Sequence, residues 1–297
     1  MTLKGIMRST LRLALRGQDE GLSQIGQLAK RVANHLEFQI RNLEQAAFHS
    51  HAPVIAAKPW PESTVGLLVY DIGANHGANI PYYRRQGFRV IAVEANPLLC
   101  RALSSDFADD GWVTVVNACI VAEATGDVPF YVNRRLDKLS TSIDPTQDQA
   151  DFDRISVPSV TPAALISQYG KPFYVKIDIE GADAKIVLAL GRLQSLIPYV
   201  SAEIFSIEVL TRLVFWGYRE FRIVEGAYVH LDRYLLPAGG GKPEFRFAKG
   251  ECAGPFGEDI PGPWVSADEV FAYLLKFGLG WKDLHARHLV VVGDPGQ

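Results

Sequence analysis

The run Lys176-Ile177-Asp178-Ile179-Glu180-Gly181 places two carboxylates at the end of the apolar segment Phe173-Tyr174-Val175. If the extended backbone persists through Ile179, Asp178 and Glu180 point to the same side. A carboxylate within hydrogen-bond reach of a hydroxyl can take its proton, and two together can ligate Mg²⁺ or Ca²⁺ through oxygen. No third ligand can be named from the sequence, so no metal is assigned. As plain structure, the pair would be a helix N-terminal carboxylate and a salt bridge. His285, with Asp283 two residues before it, is a second candidate base, because an imidazole is neutral near pH 7.

A separate cluster is suited to holding a nucleotide. In Val69-Tyr70-Asp71-Ile72-Gly73-Ala74-Asn75-His76-Gly77, a short apolar run ends in two glycines, and Asn79-Ile80-Pro81-Tyr82-Tyr83 then opens a helix. The run reads as a strand buried on both faces. Gly73 and Gly77 lack the Cβ atoms that would hold a ligand off the backbone, and the first helical turn offers free N–H groups. Phe88 to Val93 forms a second β-branched run that ends at Glu94, where Rossmann-like sites bind ribose hydroxyls. Asn96-Pro97 supplies an N-cap and an N1 proline for the next helix. A dinucleotide fingerprint needs G-x-G-x-x-G, whereas this loop is D-x-G-x-N-x-G; Asn75 stands where glycine is wanted, which disfavours an NAD-dependent oxidoreductase.

The Asp71–Gly77 loop, Val93-Glu94-Ala95-Asn96-Pro97 and the Lys176–Gly181 block, in that order, resemble the FkbM-type family of S-adenosylmethionine-dependent methyltransferases from about Leu67 to about Val224. The resemblance implies a Rossmann-like, seven-stranded class I methyltransferase sheet with S-adenosylmethionine as cofactor. It implies cofactor contacts from Asp71, Gly73, Asn75, Gly77, Glu94 and Asn96, with Asn117, in the turn after the third strand, near the adenine. Asp178, Glu180 and His285 are then the catalytic candidates, Asp178 first, for methylation of a hydroxyl on a small molecule, sugar or lipid-linked glycan. One departure stands out: Thr161-Pro162-Ala163 occupies the place where the family often has Thr-Leu-Asp.

The elements that must position these residues follow from pattern. Strand and helix alternate from Leu67 onward, which predicts an α/β fold with a parallel sheet: Trp112–Val116 is the third strand, Val128–Val132 an inserted strand, and Leu139–Ser142 a polar loop. Residues 61–297 form the catalytic domain. Residues 237–266, with Gly239-Gly240-Gly241 and the Gly/Pro-rich run to Trp264, make a lid-like or wall-like segment. Ser266-Ala267-Asp268-Glu269 begins a helix as a capping box, and Leu289–Val292 reads as a last strand.

Two prolines in Lys58-Pro59-Trp60-Pro61 separate this domain from a helical arm over 1–60. Ile25, Leu28, Val32, Leu36, Ile40, Leu43 and Ala47 make an apolar stripe. It packs on the catalytic domain or over its active site, or it pairs with a second subunit to give a homodimer. Anionic-membrane contact through Lys4, Arg8, Arg12 and Arg16 is disfavoured because Leu11 and Leu15 fall within the same stripe. A noncatalytic scaffold that recruits a partner through the arm is the remaining alternative.

The 297 residues, 48% hydrophobic, suffice for one large α/β core. A net charge of −3 with mixed signs gives no basic face for nucleic acid. Cys100, Cys119 and Cys252 are isolated thiols, which favours a reducing compartment. No apolar run is long enough for a membrane span, and the N-terminus lacks a signal-peptide pattern. The expected location is the cytoplasm.

Overall fold

The computed structural model describes residues 55–56, 64–123, 126–145, 149–193, 196–231, 234–235, 244–250 and 252–288; the arm, the triple glycine and the expected strand Leu289–Val292 lie outside them. Seven strands form one sheet: β1 (Leu68–Ile72), β2 (Arg89–Glu94), β3 (Val113–Asn117), β4 (Tyr174–Ile177), β5 (Tyr199–Glu203), β6 (Glu220–Glu225) and β7 (Lys282–Arg287). Their order is β6-β7-β5-β4-β1-β2-β3. β7 runs antiparallel to both neighbours, while the pairs from β5 to β3 are parallel.

The last described strand, β7, is one the sequence reading did not mark. Its residues alternate: Leu284 and Ala286 enter one core, and Asp283 and His285 face the other side. Burial on both faces lets this mixed run serve as an interior strand, which a search for continuous apolar residues overlooks.

Strand alternation divides the interior into two cores. On one face Tyr70, Ile72, Val93, Val175, Ile177 and Val200 pack under the helices α3 (Pro162–Tyr169), α4 (Asp183–Gly191), α5 (Ile207–Trp216) and α6 (Ala267–Phe277). On the other, Val69, Val90, Tyr174 and Tyr199 pack with α1 (Ile80–Arg85), α2 (Pro97–Asp106) and Phe256 and Ile260 of the Gly/Pro-rich segment. Phe256 stacks on Tyr174 at 3.8 Å and is fully buried. That part of the segment is therefore a packed wall.

Local signals explain the helix starts. Asn96 accepts from the Leu98 N–H at the head of α2, Thr161 caps α3, and Ser266 and Glu269 form a reciprocal capping box on α6. The inserted strand is Asp127–Asn133; it pairs antiparallel with Phe152–Val160 in a small separate sheet.

Candidate active site

The carboxyl ends of β1, β2, β4 and β5 open into a cleft of about 670 Å³. One end is lined by Gly73, Ala74, Asn75, Glu94, Ala118, Cys119 and Ile120, the other by Lys176, Asp178, Glu180, Glu203 and Phe205. Asp137 to Ser140, Lys249, Gly250, Cys252 and Ala253 make further walls.

At the first end, Glu94 accepts from Asn75 N–H through Oε2 (2.8 Å) and from Asn96 N–H through Oε1 (2.7 Å). One carboxylate thus ties the glycine turn to the β2–α2 turn. Burial pushes its pKa up, and these two backbone donors oppose the shift. Asn75 takes a left-handed conformation, φ 49°, as short amide side chains tolerate.

Several expected cofactor residues instead build the frame. Asp71 is 1% exposed and faces Lys176, whose Nζ stands 3.5 Å from Oδ1; the register pairs these two residues across β1 and β4. It does not line the cleft. A Cβ on Gly77 would meet Leu103 at 2.6 Å, so that glycine makes room for α2. Asn96 spends its side chain on the cap of α2. Asn117 donates to the carbonyls of Glu94 and Ala95, at 2.9 and 3.1 Å, fixing the turn, while the surface beside the turn comes from Ala118, Cys119 and Ile120. Spacing along the chain places such residues near a site but does not say which way they turn.

At the other end, β4 stops at Ile177 and the chain turns. Glu180 has φ 51°, and its carbonyl accepts from Thr141 Oγ1 at 2.9 Å. Asp178 and Glu180 therefore share the cleft because of a tight turn, not because the strand continues. Asp183, at the start of α4, accepts from the N–H groups of Ile179 (3.3 Å) and Gly181 (3.1 Å) and so holds that turn. Asp178 Oδ2 receives Lys176 Nζ at 3.1 Å; the lysine is 3% exposed and the aspartate side chain 32%. Burial would lower the lysine, but Asp178, Asp71 and Asp283 outweigh it and hold it firmly charged.

Glu203, at the end of β5, was missed by sequence reading because it is a lone acid far along the chain. Its carboxylate lies within 4.8 Å of those of Asp178 and Glu180. Burial, then Asp178, raises the Glu180 carboxyl to about 7; burial, Asp178 and Asp283 raise Glu203 to about 11.

His285 is a correction. It is 2% exposed on β7, two residues below the cleft end of the strand, with its ring 6.4 Å from the Tyr174 ring. Burial and Arg222 push it down to about 3. It is not among the residues that line the cleft.

Residues 71–238, more than half of the chain, match the family described as the methyltransferase FkbM domain. The chain belongs to that family. No curated protein matches. Solved structures similar to this FkbM domain include the C-terminal domain of precorrin-6Y C5,15-methyltransferase from Rhodobacter capsulatus, at 12% identity over 77% of this chain and 82% of that one, TM-score 0.36. A TehB-like SAM-dependent methyltransferase from Corynebacterium glutamicum matches at 12% identity over 72% and 95%, TM-score 0.32. A SAM-dependent methyltransferase from Geobacter sulfurreducens, solved with S-adenosylhomocysteine, matches at 11% over 59% and 71%, TM-score 0.32.

The FkbM domain is S-adenosylmethionine-dependent, and its residues fit that cofactor. Glu94 offers acceptor lone pairs at the end of β2, and Ala95, Ala118, Ile120 and Phe130 give an apolar slot beside it.

Proposed function

We propose that this FkbM domain is an O-methyltransferase acting on a hydroxyl of a small molecule, sugar or lipid-linked glycan, with Asp178 as the base. The observation that carries the reading is one continuous cleft that joins Glu94 and the glycine turn to Asp178 and Glu180. S-adenosylmethionine, when bound, supplies an electrophilic methyl on a sulfonium, whose departure as a neutral thioether takes up the S–C electron pair. Asp178 orients the acceptor O–H and takes its proton as the new C–O bond forms. Lys176 fixes one oxygen of that carboxylate and leaves the other for the acceptor. Phe205 (47% exposed), Leu139 (44%) and Trp281 (37%) give the cleft apolar walls that suit the C–H face of a sugar or a lipid chain.

Cys100, Cys119 and Cys252 are all buried and none is in a disulfide, in keeping with a reducing, cytoplasmic setting. Among the described residues no helix is long and apolar enough to cross a membrane. Subunit pairing through the N-terminal stripe belongs to the same reading; light scattering of the chain with and without residues 1–52 tests it.

A screen of hydroxylated acceptors with labelled methyl donor tests the activity. With an identified acceptor, Asp178→Asn should lower turnover by about two to four orders of magnitude and leave S-adenosylhomocysteine affinity nearly unchanged. Near-normal turnover would remove Asp178 as the base.

A further inference from the structure

We infer that the acceptor end of the cleft is a site for one hard divalent cation, Mg²⁺ or Mn²⁺ in class, held by Asp178, Glu180 and Glu203. One carboxylate oxygen from each lies within 4.8 Å of the others. Oxygens that each sit about 2.1 Å from a shared Mg²⁺ are no more than about 4.2 Å apart, so the three need to close by no more than roughly half an ångström to hold one ion. The donor set is all carboxylate, which selects hard cations over zinc or copper.

Independent observations point to a missing positive charge. Glu203 is 5% exposed and lines the cleft, and among the described residues its carboxylate has neither a hydrogen-bond donor nor an ion-pair partner. Asp283, its cross-strand neighbour on the same sheet face, is 1% exposed, and its Oδ1 has no hydrogen-bond partner. Buried carboxylates are ordinarily paired or bound to metal. Here Asp71, Asp178, Glu203 and Asp283 crowd one face of the sheet around the Lys176 ammonium, which already bridges Asp71 and Asp178. The backbone is bent to the same end. Glu180 keeps a left-handed φ of 51°, sparsely populated for a non-glycine residue, and this conformation brings its carboxylate beside the other two.

The role of the ion rests on the reading under Proposed function. Three protein oxygens leave coordination positions open toward the cleft, where an acceptor hydroxyl can bind and become more acidic.

The test is titration of the chelator-treated full-length protein with MnCl₂, followed by the electron paramagnetic resonance signal of free Mn²⁺, with S-adenosylhomocysteine affinity measured on the same samples. We expect one Mn²⁺ per chain, displaced by Mg²⁺, and a dissociation constant raised about tenfold or more by Glu203→Gln and by Glu180→Gln. In metal-free protein Glu203→Gln should melt no lower than wild type, since it replaces an unpaired buried carboxyl with an amide of the same shape; added Mn²⁺ should raise the melting temperature of wild type only. Absence of saturable binding at millimolar Mn²⁺, or binding that neither variant weakens, overturns the site. If Mn²⁺ fails to bind while S-adenosylhomocysteine binds and Asp178→Asn abolishes turnover, the cation site falls and the functional reading stands; Mn²⁺ binding with no methyl transfer to any acceptor gives the reverse.

Discussion

A Cβ placed on Gly73 would sit 1.8 Å from the carbonyl oxygen of Asp178. The nucleotide turn and the acceptor-side turn are thus packed backbone against backbone, and the one position that permits it also has φ 80°. Glycine is required there on both counts.

Gly73→Ala should therefore disturb both ends of the cleft together. A fold cost of about 2 kcal/mol or more should appear as a lowered melting temperature, with loss of S-adenosylhomocysteine binding and of turnover in parallel. The sequence reading assigned this glycine to close approach by the cofactor; the close approach is made by Asp178. A variant that lost cofactor affinity with an unchanged melting temperature would restore the first explanation.

Glu94 has two duties, since it accepts from the turns on both sides and lines the cleft. Charge-assisted hydrogen bonds are each worth roughly 1.5–3 kcal/mol, so Glu94→Ala should weaken S-adenosylhomocysteine binding about 10- to 100-fold. Glu94→Gln should also be impaired, because its amide group would present a donor to one of the two backbone N–H groups. Calorimetric titration of both variants decides this; full affinity in either would exclude the ribose contact.

His285 should prove structural. His285→Ala opens a gap under Tyr174 and should destabilise by roughly 1–3 kcal/mol, with turnover of the folded fraction preserved. His285→Phe keeps a ring and removes the Nε2 atom that has no hydrogen-bond partner, so its stability should equal or exceed wild type. With burial holding the imidazole down at about 3, the pH–rate profile should show no limb from this residue near neutrality. A hundredfold loss of turnover in the phenylalanine variant would return His285 to the chemistry.

Asp259 gives a pH signature in the wall. It accepts from Tyr82 Oη at 2.6 Å and Gln86 Nε2 at 2.8 Å, yet burial outweighs these donors and raises it from 3.8 to about 6. The folded state then binds this proton more tightly than the unfolded state. Its stabilising contribution is complete below about pH 4 and is lost as pH rises through about 6, a difference of about 3 kcal/mol. Urea unfolding across that range should show the loss in wild type and a flatter dependence in Asp259→Asn; identical slopes would refute it.

Much of the fold was legible because it depends on local signals. Buried parallel strands such as Val69–Ile72 and Val90–Val93 are short apolar runs, and Asn96, Thr161 and Ser266 announce their helices by capping chemistry within three residues. β7 escaped because its alternating polar residues are buried by sheet partners 57 to 88 residues away along the chain, β5 on one side and β6 on the other.

The sequence by itself determined the family, the parallel α/β order, and the two clusters, the glycine turn with Glu94 and the pair Asp178 and Glu180, because motif and period are properties of neighbours along the chain. Only the tertiary structure decided which side chains face the cleft. Asp71 turns to Lys176, Gly77 to Leu103 and Asn117 to the β2–α2 turn, whereas Glu203 joins Asp178 and Glu180 from another strand. Such contacts arise from strand order, register and burial, which bring together residues that have no fixed separation in sequence.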